Sequence, residues 1–401
     1  MSIPLIVLAL LSSLLGCSSP EVPRNDPPMT SVRVFEAETG GYAHYRVPAI
    51  AVAPSGTVIV VTEARRSSSG DWGHQDILMV RSRDGGKTWD EPRKIVALDG
   101  DPAENEAALA QGLAEKGVTT YNNIVPIVDA EGGAVHFLFC SAYKRAYYMR
   151  THDDGETFTE PVEITATFQQ FREDYDWKVI ATGPGHGIRH SGGRLIVPVW
   201  LSDGTAGHAH RPSIVSTIYS DDGGATWERG EVVVRHPELK NPSETLAVEL
   251  SDGRVMLNIR NESPEHRRAV TVGVDGATGW GPVEFDEELI EPICMASLLR
   301  VGDSLVFANP HSLEPRDPSN PDGSWKRQNL TVRLSEDDGQ TWPYSRVIEP
   351  GVSGYSDLAA SQDGTVFVVY EDDTPTDRGT HVKYLTVASL DLDWIRRGQG
   401  L

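Results

Sequence analysis

Four octapeptides constrain this chain more than any other feature: SRDGGKTW (82–89), THDDGETF (151–158), SDDGGATW (220–227) and SEDDGQTW (335–342), all variants of S-x-D-x-G-x-T-W. Each follows an alternating apolar stretch such as DILMVRS, STIYS or NLTVRLS and precedes another extended segment. That context marks a β-hairpin turn. Ser or Thr and Asp side chains bond the turn's own backbone, Gly takes the left-handed angles, and Trp packs beneath. The widest gap, before the last copy, holds a decayed version, VGVDGATGW (272–280). A period of roughly 50 to 70 residues built from short strands and Gly/Asp turns is the pattern of a β-propeller. The sequence therefore predicts an all-β fold: a six-bladed β-propeller over residues 31–401 with four to five such hairpins. Only AENEAALAQGLAEK (103–116) has a helical pattern, read as a short surface helix.

The net charge of −22 excludes nucleic acid as a partner bound through the overall field. An anionic ligand would have to be held by a local cluster of arginines that outweighs this average. The first 16 residues, MSIPLIVLALLSSLLG, are apolar but too short to cross a membrane as a helix, and they lead into LLGC. This resembles a bacterial lipoprotein signal: residues 1–16 removed, Cys17 lipidated, and 17–30 a Pro-rich tether. It departs from that pattern in lacking Lys or Arg before the apolar run and in the bulk of Leu15. An exported protein, anchored to a membrane at Cys17, is expected. Cys140 and Cys294 lie in apolar stretches without CxxC or clustered His, so they read as buried free thiols. The DDG clusters lack the ligand ladder and terminal Glu of a calcium loop, and no metal or cofactor is implied.

The remaining motifs narrow the function. HYRVPAI (44–50), EARRSSSGDWGHQDILMVRSRDGG (63–86), NPSETLAVELSDGRVMLNIRNE (241–262), KRQNLTVRLSEDDGQTW (326–342) and SGYSDLAAS (353–361) follow one another in order. Together they resemble the bacterial and animal exo-sialidases, whose Asp-box repeats the octapeptides match. Two positions depart from the family pattern: Val47 replaces the commoner Ile, and Gly70 precedes Asp71 where Ser or Asn is commoner.

The resemblance implies roles residue by residue. Arg46, Arg260 and Arg327 fall where the family clamps the substrate carboxylate; Asp71 matches the acid/base, Tyr355 the nucleophile, and Glu244 the carboxylate that activates it. Glu371 matches the acid that holds the first arginine, and Arg65, beside Arg66, a further substrate-binding arginine. Asp76, the next acidic residue after Asp71, begins an apolar strand and is the poorer candidate. The implied partners are sialylated glycans, glycoproteins or glycolipids.

This set of residue types suits one kind of sugar. Sialic acid carries a carboxylate on its anomeric carbon, and the planar fork of arginine pairs with it bidentately. An anionic nucleophile would meet that carboxylate as a like charge, whereas a phenol stays neutral until a base takes its proton. Asp71 must donate a proton first and accept one later, so a raised pKa is expected of it. Tyr121, Asn123 and Trp177 are weaker candidates for lining the pocket, and His186, without a metal partner at ligand spacing, reads as structural. Competing readings are a trans-sialidase, a hydrolase of a related nonulosonic acid, and a sugar-binding propeller without catalysis.

Overall fold

Each of the four octapeptides closes on itself through the same hydrogen bonds. The hydroxyl of Ser82, Thr151, Ser220 or Ser335 accepts from the glycine N–H four residues on, at 2.8, 2.9, 2.8 and 2.8 Å. Asp84, Asp153, Asp222 and Asp337 each accept from the backbone N–H and the hydroxyl of the following threonine. In the decayed copy Gly273 stands where the others have Ser or Thr, and Asp275 still accepts from Thr278 N at 2.8 Å.

The computed structural model describes residues 29–67, 70–205, 207–320, 325–372 and 382–398; the expected signal segment and Cys17 lie outside them. Their strands form five hydrogen-bonded sheets, all pairs antiparallel. Three are four-stranded and begin with His44–Val52, Tyr121–Asp129 and Thr245–Glu249; a six-stranded sheet lies between the second and third of these in sequence. The last has seven strands, and its long strand Tyr344–Ala360 pairs with Gln328–Ser335 through its first half and with Val366–Asp372 through its second. Thr30–Glu36 pairs with Tyr384–Leu390, so the start of the domain completes the sheet made by its end.

Apolar clusters fill the clefts between successive sheets. One joins Ile59 and Ile77 of the first sheet to Phe137 and Phe139 of the second, and another joins Phe367 and Val387 of the last sheet to Ile50 and Val60 of the first, which closes a ring. Within the seven-stranded sheet Val306 and Val332 face Val366 and Val368 across a cluster of their own. The octapeptide aromatics belong to these clefts: Trp89, Phe158, Trp227 and Trp342 each pack in the cluster shared with the preceding sheet. The repeat thus builds a turn and also joins neighbouring sheets.

The direction of the strands separates scaffold from site. The octapeptides follow the third strand of their sheets, while the connections from second to third strand emerge at the opposite end of the ring. Loops 66–74, 203–212, 260–266 and 311–327 are such connections. The helical pattern at 103–116 yields only Glu106–Ala110, capped by the Asn105 side chain and ended before Gly112 at φ 68°. Short helices at Thr165–Gln169, continued by a 3-10 turn at Gln170–Glu173, and at Leu392–Arg396, which the sequence pattern did not indicate, complete the described elements.

Two adjacent glycines separate turn strain from contact between sheets. At Gly223 (φ 67°) an added Cβ meets nothing within 4 Å, whereas at Gly224 (φ 87°) it would lie 2.3 Å from the Tyr148 hydroxyl of the preceding sheet. Gly223→Ala is predicted to cost about 1 kcal/mol and Gly224→Ala about 2–4 kcal/mol, read by urea unfolding. Equal costs would show that the turn does not hold the sheets together.

Candidate active site

Three inner strands break register at the end of the ring where the long loops emerge. The pairing shifts between Arg46 and Ala49, between Asn122 and Val125, and between Ser353 and Ser356. Val47 and Asn123 sit at these breaks with φ of 54° and 55°, a costly conformation for a β-branched valine. Such a bulge re-aims a side chain that regular pleating would direct elsewhere. Arg46, Asn123 and Tyr355 consequently line one cavity of about 240 Å³, with Asp71, Glu244, Arg260 and Arg327 in its wall.

One buried carboxylate organises two of these strands. Glu371, 1% exposed, takes both arms of the Arg46 guanidinium, with Nε–Oε1 at 3.0 Å and the second nitrogen to Oε2 at 3.1 Å. It also accepts from the backbone N–H of Val47 and of Tyr355, each at 3.1 Å. Burial favours the neutral acid, but Arg46 and the two N–H groups outweigh it, so its pKa is lowered. Gly354 is required beside it, since a Cβ there would lie 2.2 Å from Glu371 Oε2.

The Tyr355 hydroxyl donates to Glu244 Oε1 at 2.5 Å and accepts from Arg260 at 2.8 Å. Arg260 also pairs with the other oxygen of Glu244. The guanidinium carbons of Arg46, Arg260 and Arg327 lie 5.5, 5.9 and 5.2 Å from the centre of the phenol ring. Burial and the Glu244 charge raise the phenol pKa, against the pull of Arg260 and Arg327. The proton therefore stays on Tyr355, with its acceptor already in contact. Arg327 is aimed by its bond to the Ile293 carbonyl at 2.7 Å, and Ile293 is again a β-branched residue at positive φ (56°).

Asp71 lies on loop 66–74 with its side chain 44% exposed, 3.1 Å from Arg65. Its expected raised pKa is not what the site produces: burial pushes it up, but Arg65, His210 and Arg46 outweigh that and hold it at about 2. Arg65 does not line the cavity. It is 1% exposed and divides its guanidinium between Asp71 and the buried Glu63, at 3.1 and 2.6 Å. These two contacts position Asp71.

The weaker candidates separate. Asn123 lines the cavity, while Tyr121 and Trp177 are buried in the clusters between sheets. His186 bonds Asp357 at 2.7 Å, away from the cavity, and Asp357 also holds Ser297 and Ile50 N. Cys140 and Cys294 are buried free thiols, the latter packed against Tyr355. Sequence reasoning missed His208, His210, Arg211, Asn241 and Glu262, which rim the cavity, and Tyr143 and Trp200, which pack around His210. Burial lowers the His210 pKa to about 4, so it is neutral beside Asp71 at neutral pH. Among the described residues no group of three or more His, Cys, Asp or Glu is placed to hold a metal ion.

Residues 104–368 match the model of the BNR repeat-like domain. The chain belongs to that family. Among curated relatives, this BNR repeat-like protein is 29% identical to the sialidase of Micromonospora viridifaciens, over 94% of its own length and 56% of the relative's. It is also 29% identical to the sialidase of Bacteroides fragilis, over 85% of its own length and 62% of the relative's. The chain thus spans less than two thirds of either relative. Of solved structures, the Hadza microbial sialidase Hz136 aligns with a TM-score of 0.72 and 26% identity, covering 91% of this chain and 69% of that one.

The BNR repeat-like ring makes the site sensitive at one atom. Gly354→Ala is predicted to displace Glu371, freeing Arg46 and the Tyr355 N–H together. The variant should lose about 2–4 kcal/mol of stability, read by urea unfolding. Unchanged stability would mean that the contacts of Glu371 do not depend on the space beside Gly354.

Proposed function

We propose that the protein is a retaining exo-α-sialidase that removes terminal α-linked sialic acid from glycoconjugates. The observation that carries this reading is Tyr355 hydrogen-bonded to Glu244 at 2.5 Å inside a ring of three arginines. A neutral nucleophile with a base in contact, set among cations, suits a sugar whose anomeric carbon bears a carboxylate. The sialidase relatives and the sialidase fold support the same reading. In fold terms we read the seven-stranded sheet as two blades sharing Tyr344–Ala360, which gives six. The central cavity supports this count: it is lined by six inner segments, at 50–52, 126–128, 186–189, 247–249, 298–300 and 358–360.

In this mechanism Arg46, Arg260 and Arg327 hold the substrate carboxylate. The Tyr355 oxygen bonds to the anomeric carbon as its proton passes to Glu244. The glycosidic bond breaks, and Asp71 gives its proton to the leaving oxygen. Water then enters with Asp71 as base, the tyrosyl bond breaks, and Glu244 returns the proton to Tyr355. The substrate carboxylate offsets the arginine charges and the sugar displaces water around Asp71, so binding raises its pKa from the value in the empty site. The proposal also places the protein outside the cytoplasm, anchored at Cys17, supported by the apolar run 1–16.

The purified protein should release sialic acid from a fluorogenic α-sialoside, first as the α-anomer by proton NMR, and Tyr355→Phe should lose about a thousandfold or more. Because the acid must be protonated and Asp71 is held at about 2, kcat/KM should fall as pH rises from about 5 to 8. Arg65→Gln lets the Asp71 pKa rise and should move that limb to higher pH. No release at any pH between about 4 and 8 contradicts the proposal.

A further inference from the structure

A second cavity, of about 450 Å³, opens beside the first and shares Arg211, Arg260, Glu262 and Arg327 with it. Beside apolar residues and His266 it adds two cations, Lys240 and Arg316, and no further carboxylate among the described residues. Lys240 and Arg316 are exposed, and neither makes an ion pair among the described residues. Arg211 is already matched by Glu262, at 2.8 Å from Nε, and Arg260 by Glu244. Among the described residues the one carboxylate in this wall is therefore spent, and Lys240, Arg316 and Arg327 line the space without an anion beside them. Burial and then the Arg327 charge lower the Arg316 pKa, so these cations act on one another. Such crowding stands out in a chain of net charge −22, whose average field favours the opposite sign.

The first carboxylate of a sialoside is accounted for by the three arginines around Tyr355. An exo-acting enzyme seats one terminal sugar in its pocket, so whatever occupies the adjoining cavity belongs to the leaving group. We infer that this cavity is a subsite for an anionic leaving group, the carboxylate of a second, penultimate sialic acid, recognised by Lys240 and Arg316. The inference rests on the sialidase reading and deepens it: the favoured substrates are glycans ending in two linked acidic sugars. A sulfated sugar offers a similar charge, and the test separates the two.

The experiment compares kcat/KM of the full chain at low salt on three substrates: an α-linked sialic acid dimer, a sialylated lactose, and a sialylated lactose sulfated on its galactose. The dimer is expected to be cleaved several-fold faster than the neutral lactose conjugate, and raising salt should erode that advantage. Lys240→Ala and Arg316→Ala should each lower the rate on the dimer by about tenfold and that on the lactose conjugate by less than twofold. Thermal unfolding of both variants checks that these surface changes leave the fold intact, and Lys240→Gln repeats the test with the side-chain length kept. A preference for the sulfated conjugate alone, equal losses on all substrates, or no advantage for the dimer overturns the subsite while leaving the sialidase reading standing. Absence of cleavage of any of the three overturns the sialidase reading and the subsite with it.

Discussion

One carboxylate that does not line the cavity holds two of the strands that build it. Glu371 joins strands that are more than 300 positions apart in sequence, through the Arg46 guanidinium and through the N–H groups of Val47 and Tyr355. Both N–H groups are at register breaks, where the strand ladder cannot satisfy them. A buried donor left without a partner costs about 1–3 kcal/mol, so the same acid that aims the arginine also makes the bulges tolerable. Gly354 follows from this, because the carboxylate occupies the space a side chain would need.

The rest of the ring converts local turns into a rigid frame for that contact. Each octapeptide caps its own hairpin and packs its aromatic against the preceding sheet, and Thr30–Glu36 closes the circle by pairing with Tyr384–Leu390. The turns sit at one end and the loops that carry Asp71, Glu262 and Arg327 at the other. Among the described residues the β-branched ones that hold left-handed angles, Val47 and Ile293, lie at the functional end beside the arginines they help to aim.

The repeats made the all-β ring legible in the sequence, since every octapeptide states its own hairpin. That Tyr355, Glu244 and the three arginines share one cavity was implied only by the family resemblance; nothing local singles out a tyrosine between Gly354 and Ser356. Strand alternation would put Tyr121 and Asn123 on one face, but the break at Asn123 sends one into the core and the other into the cavity. His208, His210 and Glu262 lie on connections without periodicity, where only the closed ring brings them together. The Asp71 pKa could not be read either. It depends on how Arg65 shares itself between Asp71 and the buried Glu63, a division that spacing does not reveal.

The central claim is that the Tyr355 oxygen attacks the anomeric carbon while Glu244 takes its proton. Incubation with a difluorinated sialic acid that forms a covalent adduct but turns over slowly, followed by proteolysis and peptide mass spectrometry, tests it directly. The account predicts a single added sialyl mass on the peptide containing Tyr355, located on its oxygen and absent from Tyr355→Phe. An adduct on Glu244 or Asp71, or cleavage of substrate with no adduct on Tyr355, would contradict it.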